Sequence, residues 1–221
     1  MTFQRARSEE QREIRRSVIL NTTTTMLGEM PVADVSLNEI SRRVGLAKSN
    51  VLRYFESREA VLLQLLDDYF GKWLPELDDR LQTGVDERAD LPTRAHQLAD
   101  VLSRSLADQS TMLDLFGAQG GVLEHNVSTE VVRRYKRSSL GRLATMTELV
   151  TRRVPELGED AQFFCFMTLI TAGALAAYVP PPASLLAVYA DEPELSVLNL
   201  NLRQALQGSI TSTLLGALPR P

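Results

Sequence analysis

The chain has 221 residues, 44% of them hydrophobic, and a single cysteine, Cys165. Such a length and composition build a buried core and exclude a disordered tail or a collagen-like rod. One cysteine with only His96 and His125 excludes an internal disulfide and a zinc site. The formal charge of −4 is uneven: residues 1–58 hold ten Lys/Arg against seven Asp/Glu, and the remainder fourteen against twenty-one. A basic segment therefore precedes an acidic body, a pattern that directs attention to the amino-terminal part as a binding segment.

The chain begins MTFQRARSEEQREIRR, charged where a secretory signal has its apolar core, which predicts a cytoplasmic protein. Apolar residues then recur three or four apart, without a sustained strand alternation, so the expected fold is all-α with about nine helices. The spacing predicts helices over Glu9 to Glu29, Leu37 to Val44, Lys48 to Phe55 and Arg58 to about Leu81. Further on it predicts Pro92 to Ala107, Met112 to Gln119, Thr129 to Arg153, Asp160 to Val179 and Ser196 to Leu218, separated by turn-like stretches. The four threonines Thr22 to Thr25 are the weak point of the first helix, with a local strand as the alternative. Pro180, Pro181 and Pro182 must interrupt a helix, since none can donate a backbone hydrogen bond.

Several signals converge on VSLNEISRRVGLAKSNVLRYFESREAVLLQLL. Ser36 and Glu39 have the S-x-x-E spacing of a capping box, in which each side chain satisfies a backbone donor at the other position. Leu37, Ile40 and Val44 share a face, and Gly45 suits a left-handed helix exit. A second short helix follows, with Val51 and Phe55 spaced to pack on Ile40 and Val44. Two helices joined by a tight glycine-containing turn make a helix-turn-helix. At about 100° per residue, Ser49 and Arg53 lie opposite Val51, with Asn50 and Leu52 on the flanks. Arginine and asparagine can each make bidentate contacts to base edges in the major groove, while Lys48 and a serine hydroxyl can hold phosphate. Arg58 opens the next helix, where backbone amides also suit phosphate.

The run I-S-R-R-V-G-L-A-K-S-N-V-L-R-Y-F-E-S-R-E-A-V-L, residues 40–62, resembles the DNA-binding domain of the tetracycline-repressor (TetR) family of bacterial transcription regulators, and the likeness extends over residues 9 to about 70. The resemblance implies an amino-terminal helix-turn-helix domain, residues 1–58, and a larger helical ligand-binding and dimerisation domain, residues 59–221. It implies phosphate contacts from Ser36 and Arg58 and a DNA-facing helix carrying Lys48, Ser49, Asn50, Arg53 and Tyr54. It also implies an arm of Arg5, Arg7, Arg12, Arg15 and Arg16 that touches phosphate or the minor groove. The sequence departs from the family pattern at three places. Leu52 stands where many members have tyrosine, Ala47 lacks the usual capping hydroxyl, and Met30-Pro31 ends the first helix.

The fourth helix carries an apolar stripe from Val61 to Leu77, most of which reads as core. Phe70, Trp73 and Leu74 are expected also to line an effector cavity, with Pro75 bending the helix. Met112, Leu115, Phe116, Leu123, Phe163, Met167 and Thr171 are further expected lining residues, and Gln119, His125 and Asn126 the polar anchors. Such a pocket suits a small, partly hydrophobic effector. No cofactor is implied, and no G-x-S-x-G turn or triad accompanies the histidines, so no enzyme is expected. The stretch FFCFMTLITAGALAAYV, residues 163–179, is the most apolar. It reads as a helix buried against its own body and a second subunit in preference to a membrane span. The resemblance implies a homodimeric, ligand-responsive repressor on a palindromic double-stranded DNA operator, with the fourth helix as lever. The rivals are a constitutive DNA-binding protein without effector and a membrane-associated helical protein.

Overall fold

The computed structural model describes the backbone of residues 2–218 and the side chains of residues 9–218. Arg5 and Arg7 of the expected arm lie outside the described side chains. Among the described residues there are ten α-helices and no strands. The chain forms two compact units, one of residues 1–69 with 118–139, the other of residues 70–117 with 140–221.

The first unit contains α1 (Thr2–Leu27), α2 (Leu37–Val44), α3 (Lys48–Val51), the start of α4 (Arg58–Gly84) and the start of α7 (Thr129–Arg153). The alternative strand at the threonines is not formed. Thr23 Oγ1 donates to the Ile19 carbonyl at 2.8 Å and Thr25 Oγ1 to Asn21 at 3.2 Å, so both hydroxyls bond back along α1. Ser36 caps α2 by accepting from the Glu39 N–H, and Gly45 ends it at φ 72°. The core is built from Ile19, Met26, Val32, Val35, Ile40, Val51, Phe55, Val61, Leu62 and Leu66, all nearly inaccessible. Helix α3 stops at Val51, earlier than the expected Phe55. Its last turn tightens, with Tyr54 N–H donating to the Val51 carbonyl at 2.9 Å. Ser57 then caps α4 by accepting from Ala60 N–H at 3.1 Å, leaving no room for another helical turn.

The second unit contains the remainder of α4 and α7 with α5 (Leu91–Ala107), α6 (Ser110–Ala118), α8 (Ala161–Ala176), α9 (Ala183–Asp191) and α10 (Leu202–Ala217). Helix α10 packs on α5 and α8. Trp73, Leu77, Leu98, Leu102, Leu113, Phe164, Leu206 and Leu214 fill the centre. Helices α6 and α8 touch through backbone: a Cβ on Gly117 would sit 2.9 Å from the Gly173 carbonyl oxygen, and one on Gly173 would sit 2.8 Å from the Gly117 nitrogen. Buried Arg94 donates to the Ala89 and Arg153 carbonyls and to both oxygens of Glu156, which secures the last turn of α7.

Helix boundaries in the second unit also differ from expectation. Helix α8 ends at Ala176, and the expected last helix starts later, at Leu202, where the Asn201 side chain accepts from Gln204 N–H at 3.0 Å. Helix α9 was not expected; it follows directly from Pro182 at its N-cap and buries none of its residues. Among the described residues no helix is long and apolar enough to cross a membrane.

Candidate nucleic-acid interface

Burial of Val51 and Phe55 fixes which way α3 faces. Lys48, Ser49, Asn50, Leu52 and Arg53 are exposed together, and Tyr54 is half-buried. Exposed Ser36 lies at the start of α2, already engaged as its cap. Thus six of the seven residues expected to meet DNA lie on the two short helices and their following turn. Arg58 is different. Its guanidinium is half-buried and donates to the Val32 carbonyl at 2.7 Å, and its Nε is buried without a partner.

The capping box is formed in one direction only. Ser36 accepts from the Glu39 N–H at 3.1 Å, but the Glu39 carboxylate turns to Arg42, at 2.8 and 2.6 Å, and to Arg43, at 2.8 Å. Arg43 also bonds Glu29. Hydrogen bonds from Arg42 and then Arg43 hold the Glu39 carboxyl down at about 2. Glu39 and Glu29 thereby offset the two arginines of the motif at short range.

Helix α1 supplies more than the expected arm. Gln11, Arg12, Ile14 and Arg15 form, with Arg53 and Tyr54, a groove of about 610 Å³. Gln11, Arg12 and Arg15 are three or four apart or adjacent, the spacing of one helix face, which was the available sequence signal for including Gln11. Arg16 does not enter this groove. It donates to the Tyr54 carbonyl at 2.7 Å and lies 4.1 Å above the Phe55 ring. Burial depresses its basicity, and Glu13 opposes that shift. Arg16 therefore holds the backbone of the turn that presents Arg53 and Tyr54.

The expected effector residues divide between the two units. Phe70, Trp73, Leu74, Met112, Leu115, Phe116, Phe163, Met167 and Thr171 belong to the second unit, whereas Gln119, Leu123, His125 and Asn126 belong to the first. In the second unit Phe70 packs edge-on against Phe116 at 5.6 Å and beside Trp73 at 6.0 Å. The Trp73 indole N–H donates to Ser105 Oγ at 2.8 Å. Phe70, Trp73, Leu74, Met112 and Leu115 are buried, and Phe116, Met167 and Thr171 half-buried. In the first unit Leu123 is buried, His125 and Asn126 are exposed, and Gln119 donates to Glu124, itself paired with Lys136.

Phe163 points to solvent, at 61% exposure, and shares an apolar stripe of α8 with Phe166, at 48%, and Ile170, at 49%. The opposite side of the helix buries Phe164, Cys165, Thr168, Leu169 and Ala172. Burial pushes the Cys165 thiol up to about 12, so it stays protonated at neutral pH.

Comparison with known proteins agrees with this arrangement. Residues 19–65 match the family description "Bacterial regulatory proteins, tetR family", and residues 67–221 match "Tetracyclin repressor-like, C-terminal domain". The "HTH-type transcriptional regulator EthR" of Mycobacterium tuberculosis is 36% identical over 76 residues, 34% of this chain and 33% of that protein, so the likeness spans a third of the curated relative's length. Two solved structures share the fold over most of the chain. A transcriptional regulator FadR from Bacillus subtilis, in complex with stearoyl-CoA, has a TM-score of 0.53 at 14% identity, covering 92% of this chain and 99% of its own. The fatty acid degradation regulator FadR from Bacillus halodurans has a TM-score of 0.52 at 17% identity, with the same coverage. The second family match alone covers well over half of the sequence, and with the first it places the chain in the TetR family of bacterial transcriptional regulators, DNA-binding proteins and not enzymes.

Proposed function

We propose that the protein is a ligand-responsive, homodimeric repressor that binds a palindromic operator, with residues 1–58 reading DNA and residues 59–221 sensing and pairing. The observation that carries the reading is the exposure of Lys48, Ser49, Asn50 and Arg53 around buried Val51 and Phe55. In the major groove Arg53 and Asn50 meet base edges, Lys48, Ser49 and Tyr54 meet bases or backbone, and Ser36 and Arg58 meet phosphates. Two such heads on one dimer demand half-sites spaced to suit the groove, hence a palindrome.

The uncharged stripe of Phe163, Phe166 and Ile170 on α8 is the proposed pairing surface, with α10 beside it. The effector enters the second unit near Phe70, Trp73, Leu74, Met112, Leu115, Phe116, Met167 and Thr171, and is small and partly hydrophobic. An effector that binds better in a head separation unsuited to DNA lowers operator affinity by that difference in binding energy. The deep burial of Trp73, Met112 and Leu115 favours a second reading, a regulator that works without effector.

Fluorescence anisotropy with fragments flanking the protein's own gene and random DNA of equal length tests the reading. Preference for one flanking fragment, reversed by a metabolite related to neighbouring genes, is the expected result. Equal affinity for all DNA would overturn operator recognition. Operator binding unmoved by every compound would replace the ligand-responsive reading with the constitutive one.

A further inference from the structure

The start of α7 is tied at two places, to the linker before α4 and to α4 itself. The backbone N–H of Ser128 donates to Glu56 Oε1 at 2.5 Å, across 72 positions of sequence. Farther along the helix, Ser138 Oγ donates to Asp67 Oδ1 at 2.6 Å on α4. Between these ties a cleft of about 200 Å³ runs along α4 and α7, lined by Leu63, Gln64, Val131, Arg134 and Tyr135 among others.

Glu56 is placed to transmit a displacement. It stands in the two-residue linker between the reading turn and α4. Phe55 before it is buried, with its N–H on the Val51 carbonyl at 3.1 Å, and Ser57 after it caps α4. Its carboxylate meets the positive end of α7, where free N–H groups and the helix dipole favour an anion. The Ser128 hydroxyl is itself occupied as the cap of α7, accepting from Val131 N–H at 3.3 Å. Helix α7 continues beyond Ser139 into the residues of the second unit.

We propose that Glu56 is a positioning residue: through its bond to Ser128, the start of α7 sets the pose of the Arg53–Phe55 turn against DNA. The proposal rests on the reading of residues 48–55 as the DNA-facing segment. Coupling free energies are reciprocal, so DNA on the turn must in return steady the first turn of α7.

Hydrogen exchange on the full-length protein, free and saturated with the preferred DNA fragment, tests this. In the wild type, DNA slows exchange at amides 128–132 roughly fivefold or more. In Glu56→Ala the slowing disappears although anisotropy shows the fragment fully bound, and Glu56→Gln, which keeps an acceptor oxygen, restores it. A merely structural role would lower stability without removing the DNA-dependent change. Equal slowing in Glu56→Ala, or none in the wild type, would overturn the proposal. If Glu56→Ala fails to fold, Ser128→Pro removes the donor together with the hydroxyl cap and is read over amides 129–132 against Ser128→Ala, which removes the cap alone: loss of the DNA-dependent slowing in the proline variant only is expected, and equal slowing in both overturns the proposal. Failure to bind any fragment overturns the underlying reading instead, and anisotropy reports it before exchange begins.

Discussion

Arg53 ends in solvent, whereas Arg58 ends on the carbonyl of Val32. The two arginines should therefore respond differently to truncation. Arg53→Ala is expected to cost about 1–3 kcal/mol on the preferred fragment and to relax selectivity at one base position, with random DNA little affected. Arg58→Ala is expected to weaken all DNA alike, and also to lower folding stability by roughly 1–2 kcal/mol through loss of the Val32 bond. Anisotropy across a salt series and urea unfolding separate the two; equal losses on both DNAs in both variants would refute the assignment. The directions of Val51 and Phe55 were legible in the sequence because their spacing is local. The occupation of Arg58, and the grip of Arg16 on Tyr54, join residues 26 and 38 positions apart and leave no mark on periodicity.

Helix α2 had its limits legible at both ends, since a serine cap and a left-handed glycine act within a few residues. Its Glu39 was read as half of a reciprocal cap, but Arg42 and Arg43 lie on the same face and compete for the carboxylate with stronger, charge-assisted bonds. A pH effect follows. The Glu39 carboxyl is held at about 2, below its ordinary 4.5, so the folded state binds its proton less readily than the unfolded chain. The bonds thus stabilise the fold above about pH 4.5, and that contribution fades as pH falls toward 2. Thermal melts should show a steeper acid loss in the wild type than in Glu39→Gln; superimposable acid limbs would count against the network. Helix α9 escaped notice because the three prolines before it read as a turn, although Leu185, Val188 and Tyr189 stand at helical spacing; none of its residues is buried. The contact of α6 with α8 is a second element-scale feature. Gly173→Ala puts a methyl 2.8 Å from the Gly117 nitrogen and 3.0 Å from Phe116, and is expected to destabilise by about 1–3 kcal/mol in urea unfolding. No change in midpoint would mean that α6 shifts freely.

At the scale of the whole molecule, the uneven charge matches the proposed division: the basic end carries the proposed reading helix, and the acidic remainder the body. The apolar run 163–179 was expected to be buried nearly all round, and within one chain α8 buries only one side. The exposed side carries no charge, so Phe166→Glu would force two carboxylates into the proposed dimer contact at a cost of several kcal/mol. Sedimentation should then show monomers, and operator affinity should fall with them; an unaltered dimer would move the contact to another face. Most of the expected effector residues were legible as apolar, with Gln119, His125 and Asn126 as polar anchors, but periodicity says only that an apolar residue is wanted in a core. It could not tell that Phe163 faces outward or that Leu123 serves another unit.

Trp73 gives the body an internal reporter. It is the only tryptophan, it is 1% exposed, and its indole is fixed by Ser105 and flanked by Phe70. Light absorbed at the red edge of the protein band therefore excites a single, dry side chain of the second unit. Its emission should lie toward the blue, and a small molecule wedged beside Phe70 would shift or quench it. Compounds can thus be screened on the unlabelled protein before any operator sequence is known, with the molecule serving as its own indicator.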